Sequence, residues 1–226
     1  MTMQFLAWIR RFGSVSAGIA ILAGCAGQPV DVASTAADRR ILVRPGRSGF
    51  VVAAHATGDA STAVIAREIA QHTGFGLVVA PGASPRDAGR SPAEAYERAV
   101  GEAAQGPLRF FVEIRGSDRT PCAGQMDIAT VGVDPELGVR LRALAELIRD
   151  AHLRADRAAP RLEILVEPAD TIRYAATGAK RAGILRLPRQ ALHIELPRAA
   201  RVEWRETYTV ILADFLVQAF PLPPGP

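Results

Sequence analysis

From residue 41 onwards, short apolar runs of β character alternate with longer stretches of helical period, and this alternation limits the fold more than any other feature. The β-type runs are 41–43, 50–54, 77–80, 108–114, 126–133, 162–166, 184–187 and 191–196. Between them, Val64, Ile65, Ile69 and Ala70 recur at helical spacing over 61–72, and Gly74 closes that segment. Ser91-Pro92 opens a second helix to about residue 104, with proline suited to the first turn. Asp134-Pro135 opens a third, to about residue 155. A closing helix is predicted over 198–220, with Trp204, Tyr208, Ile211 and Phe215 on one face. Strands alternating with helices of this length predict an α/β fold: one domain over 41–220, its mostly parallel or mixed sheet covered by helices on both faces. Residues 221–226 are read as a tail, and 167–189 as a long loop.

The first 25 residues have a different character. Arg10 and Arg11 precede an uncharged stretch too short to span a bilayer, the layout of an export signal over 1–24. It ends in Leu22-Ala23-Gly24-Cys25, which resembles the lipobox of bacterial lipoproteins. That resemblance implies a lipid on the Cys25 thiol, removal of the preceding peptide and attachment to a membrane. The residue after the cysteine is Ala26 rather than the aspartate linked with inner-membrane retention, so an outer-membrane seat facing the periplasm is expected. Residues 25–40, small and polar without periodicity, are read as a flexible tether. With Cys25 lipidated, Cys122 is left as a lone thiol.

Charge narrows the partners. The chain has 27 basic and 23 acidic residues, and loss of Arg10 and Arg11 reduces the excess from +4 to +2. Lys180 is the only lysine, and the arginines are scattered without a basic block interleaved with aromatics. Nucleic acid is therefore not an expected partner.

In α/β sheets, ligands gather at the carboxyl ends of the strands. Three such ends carry suggestive groups. His55 follows FVVAA, with Gly58 and Asp59 close behind; Glu113 and Arg115 share a face in FFVEIRG; His193 and Glu195 share a face in ALHIEL. Imidazoles and carboxylates converging on a crevice are what a zinc hydrolase uses to hold its metal and move a proton. Each also has a plainer role. His55 suits a turn, Glu113 and Arg115 an ion pair, Glu195 a buried carboxylate paired with an arginine such as Arg198, and His72 and His152 the surfaces of helices.

The segments HATGDASTAVIAREIAQHTGF, LVVAPG, FFVEIRG and ALHIELPRAAR, taken in order, resemble the N-formylglutamate amidohydrolase family, which is related to the zinc carboxypeptidases. The resemblance spans most of residues 50–198 through short motifs. It implies His55 and Asp59 as zinc ligands and Glu195 as the carboxylate that moves the proton. Two departures stand out. Arg115 occupies the position of a family histidine, and guanidinium does not ligate zinc. The family's Asn-Arg pair is also missing from 84–98, where Arg86 and Arg90 are the nearest arginines. His193, on the face of Glu195, is the alternative ligand. Family enzymes take substrates with a free carboxylate, which guanidinium grips through paired hydrogen bonds; Arg115, Arg173 and Arg181 are the candidates here. Two functions are thus expected: a zinc-dependent hydrolase of N-acyl amino acids or small peptides in the cell envelope, or a hydrolase-like lipoprotein that has lost catalysis and binds a ligand or envelope partner.

Overall fold

A computed structural model describes residues 30–33, 40–43, 48–55, 61–80 and 91–220. Residues 1–29, and with them the signal and Cys25, lie outside the described residues, as do Asp59, Arg86 and Arg90.

Eight strands form one mixed sheet. They are β1 (Val30–Ala33), β2 (Arg40–Val43), β3 (Phe50–His55), β4 (Gly76–Ala80), β5 (Phe110–Ser117), β6 (Gln125–Val131), β7 (Glu163–Val166) and β8 (Gln190–Pro197). Their order is β1-β2-β4-β3-β5-β8-β6-β7. The central strands β4, β3, β5 and β8 run parallel, while β6 is antiparallel to β8. The helices are α1 (Thr62–Thr73), α2 (Pro92–Ala104), α3 (Pro135–Ala155), α4 (Thr177–Ala182), α5 (Arg198–Arg201) and α6 (Arg205–Ala219). No helix among the described residues is long and apolar enough to cross a membrane.

The α/β architecture expected from the alternation is present, and the two-residue period of the strands sorts their side chains into two cores. Phe50, Val52 and Ala54 face α1, α3 and α6 in the larger core, with Ile65, Ile69, Ile148, Ile211 and Phe215. Val51, Ala53, Phe111, Ala129 and Ala191 face α2 and the 172–185 segment in the smaller one. Local chemistry sets the helix ends. Ser91 and Glu94 form a reciprocal capping box on α2. Asp134 caps α3 by accepting from Leu137 N at 2.8 Å. Gly74 ends α1 in the left-handed region at φ 79°. Gly76 lets α2 lie against β4, for a Cβ there would sit 2.4 Å from the Ala103 carbonyl oxygen.

Four expectations need correction. Part of the segment read as a tether forms β1, which pairs with β2 along an otherwise open edge. The run 184–187 is a 3-10 turn over Ile184–Arg186 rather than a strand, since three apolar residues around Arg186 are too few to carry a usable period. The loop read over 167–189 contains α4, whose Lys180 pairs with Glu167. The single closing helix is two, because the chain turns at 202–204, where Trp204 N donates to Ala199 O at 2.8 Å. The predicted face of the last helix holds: Tyr208, Ile211 and Phe215 are buried, with Trp204 packed partly against them.

Candidate functional site

The smaller core becomes polar at the carboxyl ends of β3, β5 and β8. Register brings this about: Glu113 lies beside Ala53 and His193, Arg115 beside Glu195, and Asp127 on β6 beside Glu195. Neighbouring strands lie about 4.8 Å apart, so these same-face side chains meet.

Glu113 is the hub. It is 4% exposed, and one of its oxygens, Oε1, lies 3.0 Å from His55 Nε2 and accepts from the Tyr96 hydroxyl at 3.2 Å. The other, Oε2, lies 2.8 Å from His193 Nδ1. His193 Nε2 in turn faces Glu195 Oε1 at 3.3 Å. The result is a continuous chain, His55–Glu113–His193–Glu195, with Arg115 Nη1 at 4.0 Å from Glu113. Both nitrogens of His193 face carboxylates, an arrangement that only the imidazolium satisfies as a donor to each. Burial pulls its pKa down, but hydrogen bonds and charge from Glu113 and Glu195 outweigh that and raise it. Burial likewise pushes the Glu113 carboxyl up, yet the bonds from His193 and His55 hold it well below the usual carboxylate range. The Tyr96 hydroxyl is pushed up, first by burial and then by the Glu113 charge.

Beside this chain, Asp127 is buried and accepts from Gln125 Nε2 at 2.8 Å and from the Arg173 backbone N–H at 3.2 Å. Tyr174 tilts against His193 with ring centroids 5.3 Å apart, and the Arg119 guanidinium lies 5.8 Å from the Tyr174 centroid. The space enclosed by Asp127, Tyr174 and Glu195 is about 10 Å³, room for about one water.

The structure therefore brings together His55, Arg115, Arg173, His193 and Glu195 from the predicted set. Arg181 is exposed in the last turn of α4 and forms no hydrogen bond or ion pair among the described residues. Glu195 meets His193 rather than Arg198, which pairs with Glu203 at 3.7 Å. Glu113 is more than the partner of Arg115, and Tyr96 and Asp127 were not singled out from sequence. A polar residue inside an apolar strand was the available signal for Asp127, whereas nothing local marks Tyr96, which arrives by packing from α2. His72 and His152 are not isolated on their helices either. They face the two oxygens of Asp214 at 3.2 and 2.8 Å, joining α1, α3 and α6.

A zinc ion needs lone pairs aimed at one point about 2 Å from each donor. His55 and His193 instead lie against opposite oxygens of Glu113, and both nitrogens of His193 are engaged by carboxylates. Among the described residues, no group of three His, Cys, Asp or Glu side chains is arranged to hold a metal. The described residues do not fit zinc as they stand.

No protein-family model matches the chain, and no curated protein matches it. Solved structures to which it is similar include a bacteriophage poly-gamma-glutamate hydrolase, at 14% identity over 83% of this chain and 90% of that one, TM-score 0.49. A second is YNDL in its zinc-free apo form, at 13% identity over 83% and 93%, TM-score 0.49. A third is a metallo-carboxypeptidase from Burkholderia cenocepacia, at 12% identity over 80% and 60%, TM-score 0.41.

Proposed function

We propose that this chain is a lipid-anchored envelope protein with a hydrolase-like α/β frame, whose strand-end crevice binds a carboxylate-bearing small molecule or peptide without metal-dependent turnover. One observation carries the reading. The groups that a zinc hydrolase would aim at a metal satisfy one another in the chain His55–Glu113–His193–Glu195. A buried carboxylate with that many partners is held rigidly and is not poised to exchange protons with a substrate.

The ligand's seat is the rim above this chain, because the space beneath is only about 10 Å³. Arg119 and Arg173 are exposed there, beside the half-exposed ring of Tyr174. Two guanidiniums next to an aromatic face suit a carboxylate attached to a flat or apolar body. Lipidation at Cys25, with an outer-membrane seat facing the periplasm, rests on the LAGC motif and Ala26.

A second reading, zinc-dependent hydrolysis of an amide bond with His55, Asp59 and Glu195, is favoured by the position of His55. It is the most exposed member of the chain and sits at the same sheet end as Glu195. Metal content separates the two. Residues 26–226, purified without chelator, are expected to carry no stoichiometric metal by elemental mass spectrometry and to bind N-acyl glutamate in calorimetry, with Arg173→Gln weakening it. One zinc per chain, lost in His55→Ala, would replace the first reading by the second.

A further inference from the structure

A second cavity lies at the opposite end of the sheet. Its volume is about 590 Å³, and it is lined by Phe50, Phe110 and Phe220 together with Arg109, Arg189 and Gln190. Phe50, Phe110 and Gln190 are the first residues of β3, β5 and β8, whereas the crevice is at the carboxyl ends of those strands. From Phe50 to His55 the chain rises about 16 Å, so the two sites are separate.

Three features bear on what this cavity can hold. Its size falls in the range of roughly 300–1,000 Å³ typical of small-molecule pockets. Its floor is built from phenyl rings, Phe110 stacked on Phe220 at 4.1 Å between centroids and tilted against Phe50 at 5.9 Å. Among the described residues, its lining carries two cations and no acid. Arg109 and Arg189 immediately precede β5 and β8, neighbours in the sheet whose first residues are paired, Phe110 with Gln190. Gln190 N donates to Arg109 O at 3.2 Å, which fixes the two backbones side by side. Both arginines are exposed, and neither forms an ion pair among the described residues. Two arginines on adjacent backbones at the edge of an apolar floor match an anionic head on an apolar body.

We infer that this cavity binds a small organic acid: one carboxylate gripped between Arg109 and Arg189, with an aromatic or branched apolar body against Phe50, Phe110 and Phe220. The inference is independent of the crevice at the other end of the sheet.

The test uses 2-naphthoate and its neutral counterpart 2-naphthamide, titrated calorimetrically into the full chain in lipid nanodiscs, with empty discs subtracted. In Arg173→Gln, whose crevice rim is weakened, naphthoate is expected still to bind once per chain, with the amide at least about tenfold weaker, since hydrogen bonds to charged groups are the strong ones. In that background, Arg109→Gln combined with Arg189→Gln should weaken naphthoate at least about tenfold, leaving the amide unchanged. Absence of saturable naphthoate binding in Arg173→Gln, equal affinity for acid and amide there, or naphthoate binding unaffected by the paired Arg109→Gln and Arg189→Gln changes would each overturn the assignment. The comparison of acid with amide stands even if the arginine variant fails to fold.

Discussion

Replacing Glu113 by glutamine keeps the shape of the hub and removes its charge. In the native protein the carboxylate holds His55, Tyr96 and His193 at 2.8 to 3.2 Å while 4% exposed. A hydrogen bond to a charged group contributes about 1.5–3 kcal/mol and a neutral one about 1 kcal/mol. Each of the three bonds therefore loses on the order of 1 kcal/mol, and the amide turns a donor towards one former partner. The total comes to about 3–5 kcal/mol, in line with breaking a buried ion pair. For a chain of this size that lowers Tm by roughly 6–20 °C.

The pH profile makes the test specific. Glu113 has a depressed folded-state pKa, so its contribution is present above the unfolded value of about 4.3 and is lost as pH falls through the folded one. His193 has a raised pKa, so its contribution is complete below the unfolded value of about 6.5 and is lost as pH rises through the folded one. The unsubstituted protein should therefore be most stable between roughly pH 4.5 and 6.5 and decline above it. In Glu113→Gln, His193 loses the partner at 2.8 Å and keeps the one at 3.3 Å, so the alkaline decline should flatten. The assay is thermal melting by circular dichroism from pH 4 to pH 9. A Tm within about 2 °C of the unsubstituted protein across this range, or an unchanged alkaline slope, would refute the hub assignment.

Arg115→His puts an imidazole where a cation stands beside Glu113; calorimetry is expected to find zinc binding in this variant and none in the unsubstituted chain. Gly76→Ala would force a methyl to 2.4 Å from the Ala103 carbonyl oxygen; separation of α2 from β4 should cost about 1–3 kcal/mol, measured by urea unfolding. Asp214→Ala removes the carboxylate shared by His72 and His152. Because these groups are a third to a half exposed, the loss should be only about 0.5–1 kcal/mol, read as a small shift of the denaturation midpoint.

What the sequence made legible follows the range of the physics involved. Helices α1, α2 and α3 were read within a residue or two, because periodicity, Ser91-Pro92, Asp134-Pro135 and Gly74 act locally. The strand-end residues were legible for the same reason, since alternation puts His193 and Glu195 on one face. Glu113 as hub was not, because its importance arises from register with β3 and β8, whose residues lie 58 and 80 positions away. Tyr96 escaped for a similar reason, arriving from a helix on a different layer. The run 184–187 was misread because apolar content without period does not distinguish a strand from a turn.

The position of β8 has a consequence for how the chain reaches its native state. Strands β1 to β5 form one block and β6 with β7 another, and among the described residues the two blocks join in the sheet through β8, the last strand. Until residues 190–197 emerge, both blocks expose raw sheet edges, and no internal template can close them. Closure then requires contacts at long sequence separation, the situation in which folding is slow and governed by chain topology. A nascent chain lacking its final 37 residues is thus two unjoined half-sheets. Removal of β8 should abolish cooperative melting altogether rather than merely lower its midpoint.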